Sequence, residues 1–219
     1  MKKLSTVGII VAVLVALTPN IGGATTIHAE TGDAGDLPGS AQFTPGTGNL
    51  PGITGTLSSS GDADMFWIMI TNPAMFSATT VGTPGTLFDS QLFLFTAAGL
   101  GVRANDDCPT GGFRSCIPMG SGPTTAGLYL LAISGFDRDP FSGGGLIFPS
   151  FPFTGIFGPT GPGGGSAITG WGGGGDLGTY QINLTGAAHA VDPIPEPTTL
   201  LLLGTGITGL LARRRMRRV

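Results

Sequence analysis

Gln91-Leu92-Phe93-Leu94-Phe95-Thr96 and Gly127-Leu128-Tyr129-Leu130-Leu131-Ala132-Ile133-Ser134 are nearly unbroken apolar runs of strand length. A strand buried on one face alternates apolar and polar side chains, and a run apolar at every position must be covered on both faces. These two segments therefore read as strands at the centre of a sandwich. Working outward, Ile53–Leu57, Met65–Ile70, Met75–Val81 and Thr179–Leu184 read as further short strands. Turn formers separate them: Ser60-Gly61-Asp62, Thr83-Pro84-Gly85, Ala98-Gly99-Leu100-Gly101 and Gly122-Pro123. Six to eight short strands so spaced predict an all-β fold, an antiparallel, jelly-roll-like β-sandwich.

Composition agrees. The 219 residues include 40 glycines and 17 prolines, both of which oppose a helix interior. Charged residues are only 11%, and their placement is uneven. Lys2 and Lys3 stand at one end and five arginines between Arg213 and Arg218 at the other. Arg103, Arg114 and Arg138 alone face all thirteen acids between Glu30 and Glu196. So acidic a body repels a phosphate backbone, which excludes nucleic-acid binding. With only two Cys and two His, a Cys/His zinc module, which would need all four as ligands, is not expected.

Lys2-Lys3, the apolar run Val7–Leu17 and the small residues up to Ala29 have the three parts of a secretory signal peptide, expected as a helix over 1–29. Cleavage is expected after Ala29, with Ala24 as the second choice. A permanent anchor is the alternative, but the run is short for a span of ~20 residues. At the other end, Pro195-Glu196-Pro197 precedes an apolar segment, residues 198–212, and then Arg213-Arg214-Arg215-Met216-Arg217-Arg218. As a helix the segment would reach ~22 Å, short of a ~30 Å hydrocarbon core, so it spans only with snorkelling arginines or a thinned bilayer. The arginines place the tail in the cytoplasm and the body outside it.

This order of proline-flanked glutamate, short apolar helix and terminal arginines resembles a PEP-CTERM sorting signal. The resemblance implies an exported protein whose tail is read at Pro195, Glu196, Pro197, Arg213, Arg214 and Arg215. The reader it implies is an exosortase-type membrane protease, in bacteria that make extracellular polysaccharide. A plain C-terminal anchor is the alternative.

The body has its own resemblance. Gly61-Asp62-Ala63-Asp64-Met65-Phe66 is followed by Leu87-Phe88-Asp89-Ser90-Gln91-Leu92-Phe93-Leu94-Phe95. Ala104-Asn105-Asp106-Asp107, Ala126-Gly127-Leu128-Tyr129-Leu130 and Gly178-Thr179-Tyr180-Gln181-Ile182 come after. The series is similar, in order, to the bacterial pre-peptidase C-terminal domain over residues 52–186. It implies a β-sandwich there, with residues 30–51 and 187–194 as linkers. The chain departs from that pattern between 136 and 175, where 40 residues with fourteen glycines, five prolines and six phenylalanines replace a short loop. Phe141, Phe148, Phe151, Phe153 and Phe157 carry more apolar area than a flexible linker. The insert is expected to fold back over the sandwich, partly ordered, as a packed flap or a self-association surface.

Few residues suggest chemistry. Gly170-Trp171-Gly172-Gly173-Gly174-Gly175 matches the dinucleotide fingerprint by letter, but it precedes a strand instead of linking a strand to a helix. There is no G-x-S-x-G elbow, no H-E-x-x-H and no lysine in the body. His28 is expected to leave with the signal peptide and His189 to sit in a linker, so neither serves as a supported general base, and no enzymatic activity is expected. Asp62 and Asp64, spaced i and i+2, share a face with each other, and Asn105, Asp106 and Asp107 supply three more oxygen ligands. If the two groups meet, they suit calcium, which related domains bind; otherwise they make Asx turns. Cys108 and Cys116 in an exported chain read as a structural disulfide, since a redox pair favours C-x-x-C spacing. Function then reads as a non-catalytic envelope or extracellular-matrix protein. The alternative is a carbohydrate- or protein-binding module using Trp67 or Trp171, with polysaccharide as a partner.

Overall fold

The computed structural model describes residues 26–192. The expected signal helix, the membrane-spanning segment and the Pro195–Pro197 and arginine motifs lie outside the described residues, except that Thr26–Ala29 fall within them. Among the described residues no helix is long and apolar enough to cross a membrane.

The chain is all-β. Its strands are β1 (His28–Ala29), β2 (Gln42–Asn49), β3 (Gly52–Leu57), β4 (Ala63–Ile70), β5 (Ser77–Thr79), β6 (Ser90–Thr96), β7 (Gly101–Asn105), β8 (Cys116–Ile117), β9 (Gly127–Gly135), β10 (Asp139–Ser142), β11 (Gly145–Leu146), β12 (Gly170–Gly172), β13 (Gly178–Thr185) and β14 (Ala187–Ala190). They form a six-stranded sheet in the order β14-β2-β4-β9-β6-β7, a five-stranded sheet β1-β3-β13-β5-β8 and a small sheet β11-β10-β12. Pairing is antiparallel except for β1 with β3 and β2 with β4.

Alternation along the central strands builds two cores. Phe66 and Ile68 of β4, Leu92 and Leu94 of β6, and Leu131 and Ile133 of β9 point to one face. There they meet Ile53 of β3, Ile182 of β13 and Ile117 of β8 from the five-stranded sheet. Met65, Phe93, Phe95, Leu130 and Ala132 point to the opposite face and meet Ile147, Phe148, Ile168 and Trp171. All four of those partners belong to the insert. The doubly apolar strands thus have two covers: a second sheet on one face, the insert on the other. Residues 136–175 are an ordered third layer carrying β10–β12.

Four expectations need correction. Residues 30–51 are no linker, because β2 lies within the six-stranded sheet between β14 and β4. Residues 187–190 are no linker either: β14 pairs with both β2 and β4, and His189 is buried there. Cleavage after Ala29 would remove β1, so the boundary at residue 29 cuts into the sheet. The strand expected over Met75–Val81 shrinks to β5, because Pro73–Met75 turns as a 3-10 helix just before it.

Candidate functional site

The five residues expected to converge on calcium do not. Asp64 on β4 lies opposite Ile133 on β9, Ile133 opposite Leu92 on β6, and Leu92 opposite Asn105 on β7. Asp64 and Asn105 therefore share a row of the sheet but stand three strands apart, about 14 Å. The acids gather instead in two clusters: Glu30, Asp33 and Asp64, and Asp89, Asp106 and Asp107. Within each, the ligating oxygens lie within 4.8 Å of one another.

The first cluster is mostly satisfied from within. Asp64 is fully buried, and its Oδ2 accepts a 2.6 Å hydrogen bond from Tyr180 Oη. Its Oδ1 is buried without a partner. Glu30 Oε1 accepts from the Ala34 amide (3.0 Å) and Oε2 from the Thr56 amide (2.9 Å). Burial pushes the Asp64 carboxyl up to about 8, against the Tyr180 hydrogen bond and with help from the nearby Glu30 charge. Gly55 on β3 keeps the approach open, since a Cβ there would collide with the Tyr180 phenol and the Glu30 carboxylate. Glu30 and Asp33 of the cluster, with Tyr180, line an open cleft of about 570 Å³ that also involves Pro84 and Gln181, while Asp64 lies behind them in the core. Asp62 stands apart, with Oδ2 accepting from the Ser58 amide (2.5 Å) and hydroxyl (2.9 Å). Those bonds close the turn before β4 by reaching back four residues, which differs from an Asx turn, where the side chain bonds two residues on.

The second cluster is not satisfied. Asp106 is 9% exposed, yet neither of its carboxylate oxygens has a hydrogen-bond partner; the buried Oδ1 of Asp89 has none either. Burial first, then the Asp107 and Asp89 charges, push Asp106 up to about 8. Burial likewise raises Asp89 to about 6. A small cavity of about 20 Å³ opens beside Asp106, Asp139 and Gln91, walled by Phe148 and Phe157 of the insert. Asn105 is near but occupied. Its Oδ1 accepts from the Cys116 amide (2.7 Å), and its Nδ2 donates to the carbonyls of Asp107 (2.8 Å) and Gly155 (3.0 Å). It ties β7, the cysteine loop and the insert together.

Asp89 was legible only as part of a strand motif. The signal that finds it is register: the β6–β7 hairpin pairs Leu92 with Asn105. The residues just before β6 must then face those just after β7, which brings Asp89 to Asp106 and Asp107.

Cys108 and Cys116 are joined in a disulfide with Cα atoms 5.1 Å apart. Both histidines serve the fold. His28 Nε2 lies 3.0 Å from Gln42 Oε1, and His189 Nδ1 lies 3.1 Å from the Thr44 carbonyl. Thr80, Ser90 and Ser115 form a buried hydroxyl knot, with Oγ–Oγ distances of 2.8 Å from Thr80 to Ser90 and 3.0 Å from Ser90 to Ser115. Their hydrogen bonds go to one another and to backbone, so the knot joins strands and holds no activated nucleophile. Of the two tryptophans, Trp171 is no free binding platform. Trp171 is 8% exposed, edge-on to Phe93 and donating to the Asp36 carbonyl at 2.7 Å. Trp67 stacks on Phe43 at 5.5 Å.

Residues 193–218 match the PEP-CTERM protein-sorting motif. The match covers the tail alone. A chain with this motif is exported and sorted at a membrane by an exosortase, a membrane protease. No curated protein matches the chain.

Proposed function

We propose that the chain is a non-catalytic cell-envelope or extracellular-matrix protein whose all-β body is delivered by exosortase processing of its C-terminus. The carrying observation is the sorting motif over residues 193–218. In this reading the apolar segment 198–212 holds the protein in the inner membrane with the body on the periplasmic side, because arginines stay on the cytoplasmic face. Cleavage near Pro195-Glu196-Pro197 then releases or transfers the body.

The body fits a structural role. Among the described residues, both histidines and the Thr80, Ser90 and Ser115 hydroxyls are taken up in holding strands together. The order of its sequence motifs supports a pre-peptidase-C-terminal-like sandwich carrying an extra layer. The burial of Trp171 takes away one of the two aromatic platforms that a sugar-binding module would have used.

The test is fractionation of cells carrying Glu196→Gln or a deletion of residues 213–218. Both variants are expected to stay membrane-bound at full mass. Normal release of both would overturn the sorting mechanism.

A further inference from the structure

We propose that Asp89, Asp106 and Asp107 bind one divalent cation, calcium, at the seam between the sandwich and the insert. Three carboxylates are brought within 4.8 Å, and three of their buried oxygens, both of Asp106 and Oδ1 of Asp89, lack any hydrogen-bond partner. A buried carboxylate without a partner is costly and is normally paired or coordinates a metal. The other acidic cluster differs on this point: both Glu30 oxygens and one Asp64 oxygen already accept hydrogen bonds.

The donor set selects the class of ion. It is all oxygen, with the two cysteines locked in a disulfide, so a hard cation is favoured over a thiolate- or imidazole-seeking metal. Calcium accepts six to eight oxygens in irregular geometry with mono- or bidentate carboxylates, whereas magnesium demands a strict octahedron and sheds water reluctantly. Three carboxylates supply up to six oxygens, and the cavity of about 20 Å³ beside Asp106 has room for a water to complete the shell.

The location gives the ion a consequence. Asp107 donates its amide to the Phe153 carbonyl (3.0 Å), and Phe136 donates its amide to the Asp89 carbonyl (3.2 Å). Both phenylalanines belong to the insert. A cation on these acids therefore pins residues 136–157 to the start of β6 and the end of β7.

The experiment uses the full chain in detergent, stripped with a chelator and titrated calorimetrically with calcium chloride, alongside its melting temperature. The wild type is expected to bind one calcium per chain with Kd between about 10⁻⁶ and 10⁻³ M, to melt higher with calcium, and to bind magnesium more weakly. Asp106→Asn weakens binding at least about tenfold. If that variant does not fold, Asp107→Asn decides, with the same expected loss. Asp64→Asn, in the other cluster, keeps wild-type affinity. Absence of binding heat and of a melting shift in the wild type would overturn the proposal, leaving only hydrated acids. So would full affinity in Asp107→Asn, or loss in Asp64→Asn with retention in Asp106→Asn.

Discussion

Tyr180 Oη donates a 2.6 Å hydrogen bond to Asp64 Oδ2 across 116 positions of sequence. The bond runs from β13 of the five-stranded sheet to β4 of the six-stranded sheet, inside the core that the two sheets share. It is a polar tie in an apolar interior, so its strength depends on the carboxyl's charge. Burial raises Asp64 to about 8 and holds the Tyr180 phenol well above its ordinary value. At neutral pH the pair is therefore mostly a neutral acid accepting from a neutral phenol.

That raised value sets a pH dependence. The unfolded carboxyl loses its proton near 3.8 and the folded one near 8, so between those values the folded state binds more protons. Stability must then fall as pH rises from about 4 to 8, by at most about 1.4 kcal/mol per pH unit from this one group. Its contribution is fully present below pH 4. Urea unfolding of wild type and Asp64→Asn across that range should show the difference between them shrinking as pH rises. A difference independent of pH would mean that Asp64 titrates as an ordinary carboxyl.

Legibility followed periodicity. β4, β6, β9 and β13 carry alternating or continuous apolar residues, and each was placed within a residue or two. β2 was invisible because Gln42-Phe43-Thr44-Pro45-Gly46-Thr47-Gly48-Asn49 has one large apolar residue and four turn formers. It is a strand because β4 and β14 offer it edges on both sides. The insert looked half ordered because glycine dominates it. Its order comes from Phe148 and Trp171 docking on Phe93, a long-range event that local composition does not encode. Likewise, the i, i+2 spacing put Asp62 and Asp64 on one face, but β4 begins at Ala63 and leaves Asp62 in the turn before it. The partners of Asp64, however, come from Glu30, Asp33 and Tyr180, which only the tertiary fold brings together.

The third layer makes its own prediction. Phe148 is 4% exposed and contacts the rings of Phe93 and Phe95 at centroid distances of 5.9 and 5.8 Å. Phe148→Ala should cost about 3–5 kcal/mol if the layer is integral to the cooperative unit. It should also make residues 136–175 the first site of limited proteolysis. A cost below about 1 kcal/mol, within the range of surface substitutions and weak contacts, would mean the insert only rests on the sheet.

Reduction of the Cys108–Cys116 bridge should lower stability by about 2–3 kcal/mol, the chain-entropy value for so short a loop. The fold should survive, because the Asn105 bonds to the Cys116 amide and the Asp107 carbonyl hold the same loop independently. Intact mass of alkylated protein, with and without prior reduction, gives the bridge directly. Two free thiols in the freshly isolated, non-reduced protein would contradict it.

His28 is 9% exposed, packs edge-on to Phe66 at 6.0 Å and shares Gln42 with the Thr31 amide. With Ala29 it forms β1, pairing along Ile53 and Thr54 at the edge of the five-stranded sheet. Cleavage after Ala29 would discard these contacts and open the side of the core at Phe66. Cleavage after Ala24 keeps them all, and Gly22-Gly23-Ala24 supplies the small residues that the cut requires. N-terminal sequencing of the exported protein should therefore begin at Thr25. A chain beginning at Glu30 would mean that the sandwich closes without β1. The Glu30–Asp33 side of the cleft would then start at a free amino group, whose positive charge would lie beside those acids.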